Sequence, residues 1–341
     1  MMPRILLLFL LTLPLLPPAW ASAPAGEVLW LSDKPPAAHG KTAERHDHGA
    51  MDSSASGDAI AQGEESDTTH SGSKHLWLRH GDDPMRAAYA EPAGDPSVLT
   101  LLDSQDRRSE IAPAPRAGKF HARIDLAELG FYNAYLVRRS VRDGTLWVRT
   151  AKAELLKGTC CKKDVEDDAA RAVIDNGAPL ELVREHGADE KLFTRIFSGD
   201  KLSFLVLSQG KPVAGAPVTM ITQMGWRKTA TSGPDGRVAF TMIRDYYPPW
   251  LEFKKRYKET FLMVAEHEVA RAGEHDGAKY AAIRYQTTLA GKYMPSPHDY
   301  RSYAWGLGIG LGVALFGGLA VYLYRRRRLK PFKEVRLDEK A

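Results

Sequence analysis

Residues 304–324 limit what this chain can become more than any other stretch. They read AWGLGIGLGVALFGGLAVYLY, 21 residues without a charge, and Arg325, Arg326, Arg327 and Arg328 follow at once. A helix of about 20 apolar residues is long enough to cross the hydrocarbon of a bilayer. Arginines clustered beside a span mark its cytoplasmic side. The sequence therefore predicts one transmembrane helix over 304–324 and a basic cytoplasmic tail over 325–341. Everything N-terminal to the span is expected on the other side of the membrane.

The N-terminus agrees with that topology. Arg4 supplies a positive start, residues 5–16 are apolar but short, and Pro14, Pro17 and Pro18 interrupt them. Ala21-Ser22-Ala23 reads as a small-x-small cleavage site, with Ala19-Trp20-Ala21 as a second option, so residues 1–23 are expected to be a signal peptide.

Charge is distributed as the topology requires. The tail after Tyr324 holds eight cations and three carboxylates, a surplus of five that equals the net charge of the whole chain. The outer segment is thus close to neutral, which argues against nucleic acid as a partner. Its only cysteines are the adjacent Cys160 and Cys161, so no disulfide framework holds it together and its cores must do so.

Residues 24–74 are rich in Ala, Gly, Ser, Asp and Glu without apolar periodicity and are expected to be mostly disordered. From 75 to 156 the runs SVLTLLD, KFHARIDL, GFYNAYLVRRS and GTLWVRTAKAEL alternate as strands between Gly, Pro and Asp, which predicts a first β-sandwich. Residues 157–178 form a polar linker holding the cysteine pair. A second β domain is expected over 179–291, from PLELVRE, KLSFLVLS, APVTMITQ, RVAFTMI, ETFLMVAEHEV and AAIRYQTTL. Residues 292–303 then link it to the span, and Tyr293, Tyr300, Tyr303 and Trp305 are expected to form an interfacial aromatic belt. The predicted class is all-β, with two small sandwiches outside the membrane and one C-terminal transmembrane helix.

Histidine supplies the most suggestive chemistry. His39, His46, His48, His70, His75 and His80 are six of the eleven histidines and fall within 42 residues. His46-Asp47-His48 brings two imidazoles close in sequence, and neutral imidazole binds nickel, copper, zinc and cobalt well. His39 and His70 are candidates to complete that site. Cys160 and Cys161 have three fates: a vicinal disulfide, thiolate ligation of a soft metal such as Cu(I), or a bridge to another chain. Lys162 and Lys163 beside them would lower a thiol pKa. On the strand ETFLMVAEHEV, His267 is expected on one face and Glu266 and Glu268 on the other. His275 follows in a loop and is a candidate to join His267 in a His/carboxylate site.

Two further features point to partners. Tyr246, Tyr247 and Trp250, with the basic residues up to Tyr257, form a surface suited to a partner protein or to lipid headgroups. In the span, Gly306 with Gly310 and Gly308 with Gly312 make small-xxx-small ridges that let another helix approach closely. No hydrolase nucleophile motif, phosphate-binding loop, dinucleotide fingerprint or HExxH occurs, so no enzymatic activity is expected.

The segments GKPVAGAPV (210–218) and GPDGRVAF (233–240) resemble an immunoglobulin-like module of secreted bacterial proteins. Taken with the signal peptide, the His-rich start and the C-terminal span, residues 179–328 resemble the single-span extracytoplasmic accessory family associated with bacterial nickel and cobalt uptake transporters. That resemblance implies a metal-binding or substrate-presenting subunit of the bacterial inner membrane. Its domains would lie in the periplasm, its tail in the cytoplasm, and its span beside a multi-span transporter. The expected cofactor is then a nickel or cobalt ion. Copper handling, which the vicinal cysteines suit by ligand softness, and a metal-independent envelope scaffold remain as alternatives.

Overall fold

A computed structural model describes residues 28–36, 72–92, 98–158, 173–187, 190, 194–245 and 258–328. In chain order the strands are β1 (Leu29–Ser32), β2 (Ser73–His80), β3 (Ala88–Tyr89), β4 (Leu99–Asp103), β5 (Arg108–Ile111), β6 (His121–Asp125), β7 (Gly130–Arg142), β8 (Thr145–Lys157) and β9 (Glu181–Glu185). They continue as β10 (Lys201–Ser208), β11 (Lys211–Pro212), β12 (Pro217–Thr222), β13 (Arg227–Thr231), β14 (Arg237–Thr241), β15 (Glu259–Val269), β16 (Gly273–His275), β17 (Ala278–Tyr280) and β18 (Ala282–Tyr293). One helix, α1 (Pro297–Arg328), follows.

These strands are the expected ones where apolar and polar residues alternate. The longest hairpin, β7–β8, turns at Asp143-Gly144, where both residues have positive φ, 47° and 70°. A two-residue turn of that kind matches the natural twist of its strands, and Asp-Gly is among the few pairs that adopt it cheaply.

Eight strands form one long sheet in the order β13-β12-β15-β18-β8-β7-β4-β5. A short sheet joins β1, β3 and β6 to β2, and a second joins β9, β11 and β14 to β10. The pairing of β18 with β8 is parallel and all the others are antiparallel.

Register decides how the short sheets pack, because residues alternate along a strand and cross-strand partners share a face. Ala151 and Ala153 of β8 share a face with their partners Leu136 and Ala134 of β7, and Leu76, Leu78, Ala122 and Ile124 close that core. Lys152 and its partner Leu289 lie on the other face. There Leu289, Met263 and Met220 meet Phe204, Val206 and Phe240 in the second core. The two short sheets therefore cover opposite faces of the long sheet.

The chain is all-β, with two immunoglobulin-like sandwiches and one apolar C-terminal helix. The two ranges drawn from sequence, 75–156 and 179–291, are joined more intimately than a linker implies. Thr145–Lys152 and Ala282–Leu289 pair directly, so one sheet runs through both sandwiches.

Where the chain passes between them, a buried polar cluster fastens it to the long sheet. Lys152 and Glu181 are fully buried, with Nζ donating to Oε1 at 2.7 Å and to the Leu182 carbonyl at 3.0 Å. The Tyr135 hydroxyl donates to the same Oε1 at 2.6 Å, and the Asp175 N–H donates to Oε2 at 2.8 Å. Burial, reinforced by the Glu181 carboxylate, pushes the Tyr135 phenol far above its ordinary range. Every polar group in the cluster has a partner, which a buried charge requires.

Three expectations need correction. Leu29–Ser32 lies inside the range expected to be disordered, yet it is a fully buried strand with Trp30 1% exposed. Its run VLWLS is apolar, but the polar stretch after it hid it. Tyr293 is not interfacial: it is buried against Phe261, and its hydroxyl donates to Asp245 at 2.6 Å. The juxtamembrane linker is also shorter than drawn, since β18 ends at Tyr293 and α1 begins at Pro297. Within α1, the 25 residues Ala304–Arg328 are long and apolar enough to cross a membrane. The expected signal peptide (1–23) and nearly all of the tail lie outside the described residues.

Candidate functional site

Most of the residues singled out from sequence lie outside the described residues: His39, His46, His48, His70, Cys160, Cys161, Tyr246, Tyr247 and Trp250. His267 and His275 are described, and the structure does not bring them into one ligand set. His267 sits on β15 opposite Tyr285, where burial lowers its pKa and keeps the ring neutral. Its neighbours are engaged elsewhere, Glu266 accepting from Gln286 at 3.0 Å and Glu268 from Arg284 at 2.8 Å. His275 belongs to the β16–β17 hairpin, with Nε2 3.4 Å from Asp276. Among the described residues no three His, Cys, Asp or Glu side chains gather as metal ligands.

A different pair of histidines does meet. On β2 the residues Leu76 and Leu78 enter the core, so His75 and Trp77 lie on the strand's other face. On β6 Ala122 and Ile124 enter it, so His121 lies on the other face, where it is covered. The antiparallel register puts His121 opposite Trp77 and diagonal to His75. His75 Nδ1 lies 2.9 Å from His121 Nε2, with the ring planes within 18° of parallel and the centroids 5.2 Å apart. His121 is 5% exposed, with the Trp77 ring 4.6 Å away.

One contact fixes the protons. His121 Nδ1 is 3.1 Å from the Ala114 carbonyl, which can only accept. Nδ1 therefore carries the hydrogen and Nε2 carries a lone pair toward His75, whose Nδ1–H donates to it. Burial lowers the His75 pKa, as do the positive charge of His121 when protonated and that of Arg123 and Arg116, while Asp125 opposes them. His75 is thus held neutral, the form in which imidazole ligates metals.

Sequence carried half of this signal. Alternation gives each strand's face away from the core, but the 46 residues between the two histidines conceal the register.

The pair stands near one particular end of the body. β18 leads within three residues into α1, and β8 runs parallel to it. β1 runs the same way: the Thr288 hydroxyl donates to the Leu29 carbonyl at 2.7 Å, while Lys292 pairs with Asp33. The chain therefore leaves β1 and re-enters at β2 on the side where α1 begins, and residues 33–72 between them include His39, His46, His48 and His70.

At the same end the long sheet splits. The β8–β18 pairing stops at Lys152 and Leu289, while β8 continues with β7 to Lys157 and β18 continues with β15 to Tyr293. Between the diverging strands lies a cavity of about 530 Å³ bordered by Asp33, His75, Glu154, Phe261, Gly291 and Lys292. Gly291 is needed there because the ring of its cross-strand partner Phe261 lies over it. A Cβ would come within 2.3 Å of that ring.

No family model and no curated protein matches this chain. Among solved structures it is similar to a BSP domain of a biofilm associated protein, at 9% identity and a TM-score of 0.15. That match covers 64% of this chain and 27% of the other. It is also similar to a Ca2+-stabilized adhesin of an Antarctic bacterium that binds ice, at 12% identity and a TM-score of 0.18, covering 67% and 45%. A two-domain fibronectin type III segment of chicken tenascin matches at 13% identity and a TM-score of 0.15, covering 64% and 91%. The chain thus spans less than half the length of the first two. Likeness at this level carries no argument about what this protein does.

Proposed function

We propose that this protein is a single-span membrane protein whose extracytoplasmic body captures a divalent transition metal ion, nickel or cobalt, for uptake by a partner transporter. One observation carries the reading: the sequence range richest in histidine connects β1 to β2 at the end of the body from which α1 departs. With α1 across the bilayer and the arginines in the cytoplasm, that end faces the membrane, where an ion must be delivered to a transporter.

In this reading His39, His46, His48 and His70 capture the ion, and the rigid double sandwich holds them at the membrane surface. Imidazole-only capture favours exchange over storage, because each ligand is neutral. Cys160 and Cys161 are the groups through which copper would compete. The α1 ridges Gly306/Gly310 and Gly308/Gly312 and the surface at Tyr246, Tyr247 and Trp250 are the contacts offered to the transporter.

The test is calorimetry on the full chain in detergent with Ni2+ and Co2+. Binding at micromolar dissociation constants is expected, weakened at least tenfold by His39→Ala/His46→Ala/His48→Ala. Failure of the full chain to bind either ion would overturn the reading.

A further inference from the structure

We propose that His75 and His121 form a second, structured metal site: a two-imidazole chelate for a divalent ion of the nickel or copper type, through His75 Nδ1 and His121 Nε2. The proposal rests on the metal-binding reading above and assigns it a place on the body itself.

Geometry comes first. The two nitrogens are 2.9 Å apart. Metal–imidazole bonds are about 2.0–2.1 Å long, so nitrogens this close come within reach of one ion once the His75 ring turns. Imidazole nitrogen suits nickel and copper, and affinity for copper exceeds that for zinc at such sites.

The site is also preorganised. His121 is buried, and its Nδ1–H is anchored on the Ala114 carbonyl, so its Nε2 lone pair is fixed before any ion arrives. A carbonyl behind a ligating histidine is the usual means of fixing its tautomer and orientation. The backbone on both sides is secured, since the Ala114 N–H donates to the His121 carbonyl at 2.9 Å.

His75 makes the adjustment. At present its Nδ1–H donates to His121. To ligate, its proton moves from Nδ1 to Nε2, freeing the Nδ1 lone pair, and the half-buried ring turns so that both lone pairs converge on the ion. The proton stays on the His75 ring, so none is released. The hydrogen bond is thus the resting closure of the site, and the ion replaces the proton between the two nitrogens.

The protein supplies two ligands, since no third His, Cys, Asp or Glu joins them among the described residues. The remaining positions fall to water. Arg123 and Arg116 lie near His75, with Arg123 partly neutralised by Asp125 at 3.2 Å. An open, two-ligand site beside cations holds its ion loosely, as a point of transfer must.

The experiment uses the full chain in detergent carrying His39→Ala, His46→Ala, His48→Ala, His70→Ala, Cys160→Ser and Cys161→Ser together. This variant is expected to keep one Ni2+ or Cu2+ per chain and to bind Zn2+ at least tenfold more weakly than Cu2+. Pulsed EPR of its Cu2+ form should show two coordinated imidazoles. Adding His75→Gln, a half-buried position that tolerates an amide, should weaken binding at least tenfold without changing the melting temperature. His121→Gln should do the same, with the melting temperature checking the fold.

If the sixfold variant binds no ion while the unaltered chain does, this site is refuted and the function proposed above stands. Unchanged affinity after His75→Gln, or a single imidazole in the EPR spectrum, refutes it as well. If the unaltered chain binds nothing, both proposals fall.

Discussion

Lys152 shows how a residue that reads as an ordinary strand lysine becomes the centre of a buried cluster. It is wholly enclosed with Glu181, and Tyr135 and Asp175 complete the carboxylate's hydrogen bonds. Replacing Lys152 by Met should destabilise the body by about 3–5 kcal/mol, because a buried carboxylate then loses its counter-charge. The pair Lys152→Met/Glu181→Gln should cost less than Lys152→Met alone, and denaturant titration of the three variants checks both statements. Glu190 offers a pH signature. Burial alone would raise its pKa, but hydrogen bonds from Arg184 and the Gly187 N–H, beside the His186 ring, win and hold it down at about 2. Arg184 Nη1 reaches it at 2.5 Å. A depressed carboxylate stabilises the fold above its unfolded pKa and loses that contribution as pH falls toward the folded value. The melting-temperature advantage of the wild type over Glu190→Gln should therefore be full above about pH 4.5 and disappear toward pH 2.

At the scale of elements, the strands with clear alternation were readable in advance. β7, β8, β10, β12, β15 and β18 all lie where the apolar runs fall, and the resemblance at GKPVAGAPV and GPDGRVAF marks the turns that lead into β12 and β14. Short strands were not readable. β1 has four residues and β3 two, too few for a period to emerge, and β13 is RKTAT, an exposed edge without an apolar face. Exposure of that kind protects an edge from pairing with another chain. The helix was legible from composition alone, although its start at Pro297 was not, since polar residues precede the apolar stretch. On α1, Gly308 and Gly312 leave open space where a Cβ would go. Gly308→Leu/Gly312→Leu should at least halve recovery of a co-purifying multi-span partner in detergent pull-downs while leaving metal affinity of the body unchanged.

For the whole molecule, the shared sheet is the consequential finding. Because β8 and β18 pair along eight residues and the two cores lie on opposite faces of one sheet, neither core can open without stripping the other. Calorimetry of the full chain should show one endotherm, whereas two separated by more than about 10 °C would mean independent sandwiches. Composition and period determined the β class, the positions of the strands with clear alternation and the apolar helix, because these depend on which residues are apolar and how they repeat. Only the tertiary structure decided that the sandwiches share a sheet, that residues 33–72 connect β1 to β2 on the side of α1, and that His75 meets His121. Those facts are pairings between residues distant in the chain. A period of two tells which face a side chain takes but not which strand lies beside it, and neighbours in space are what make a cluster, a cleft or a site.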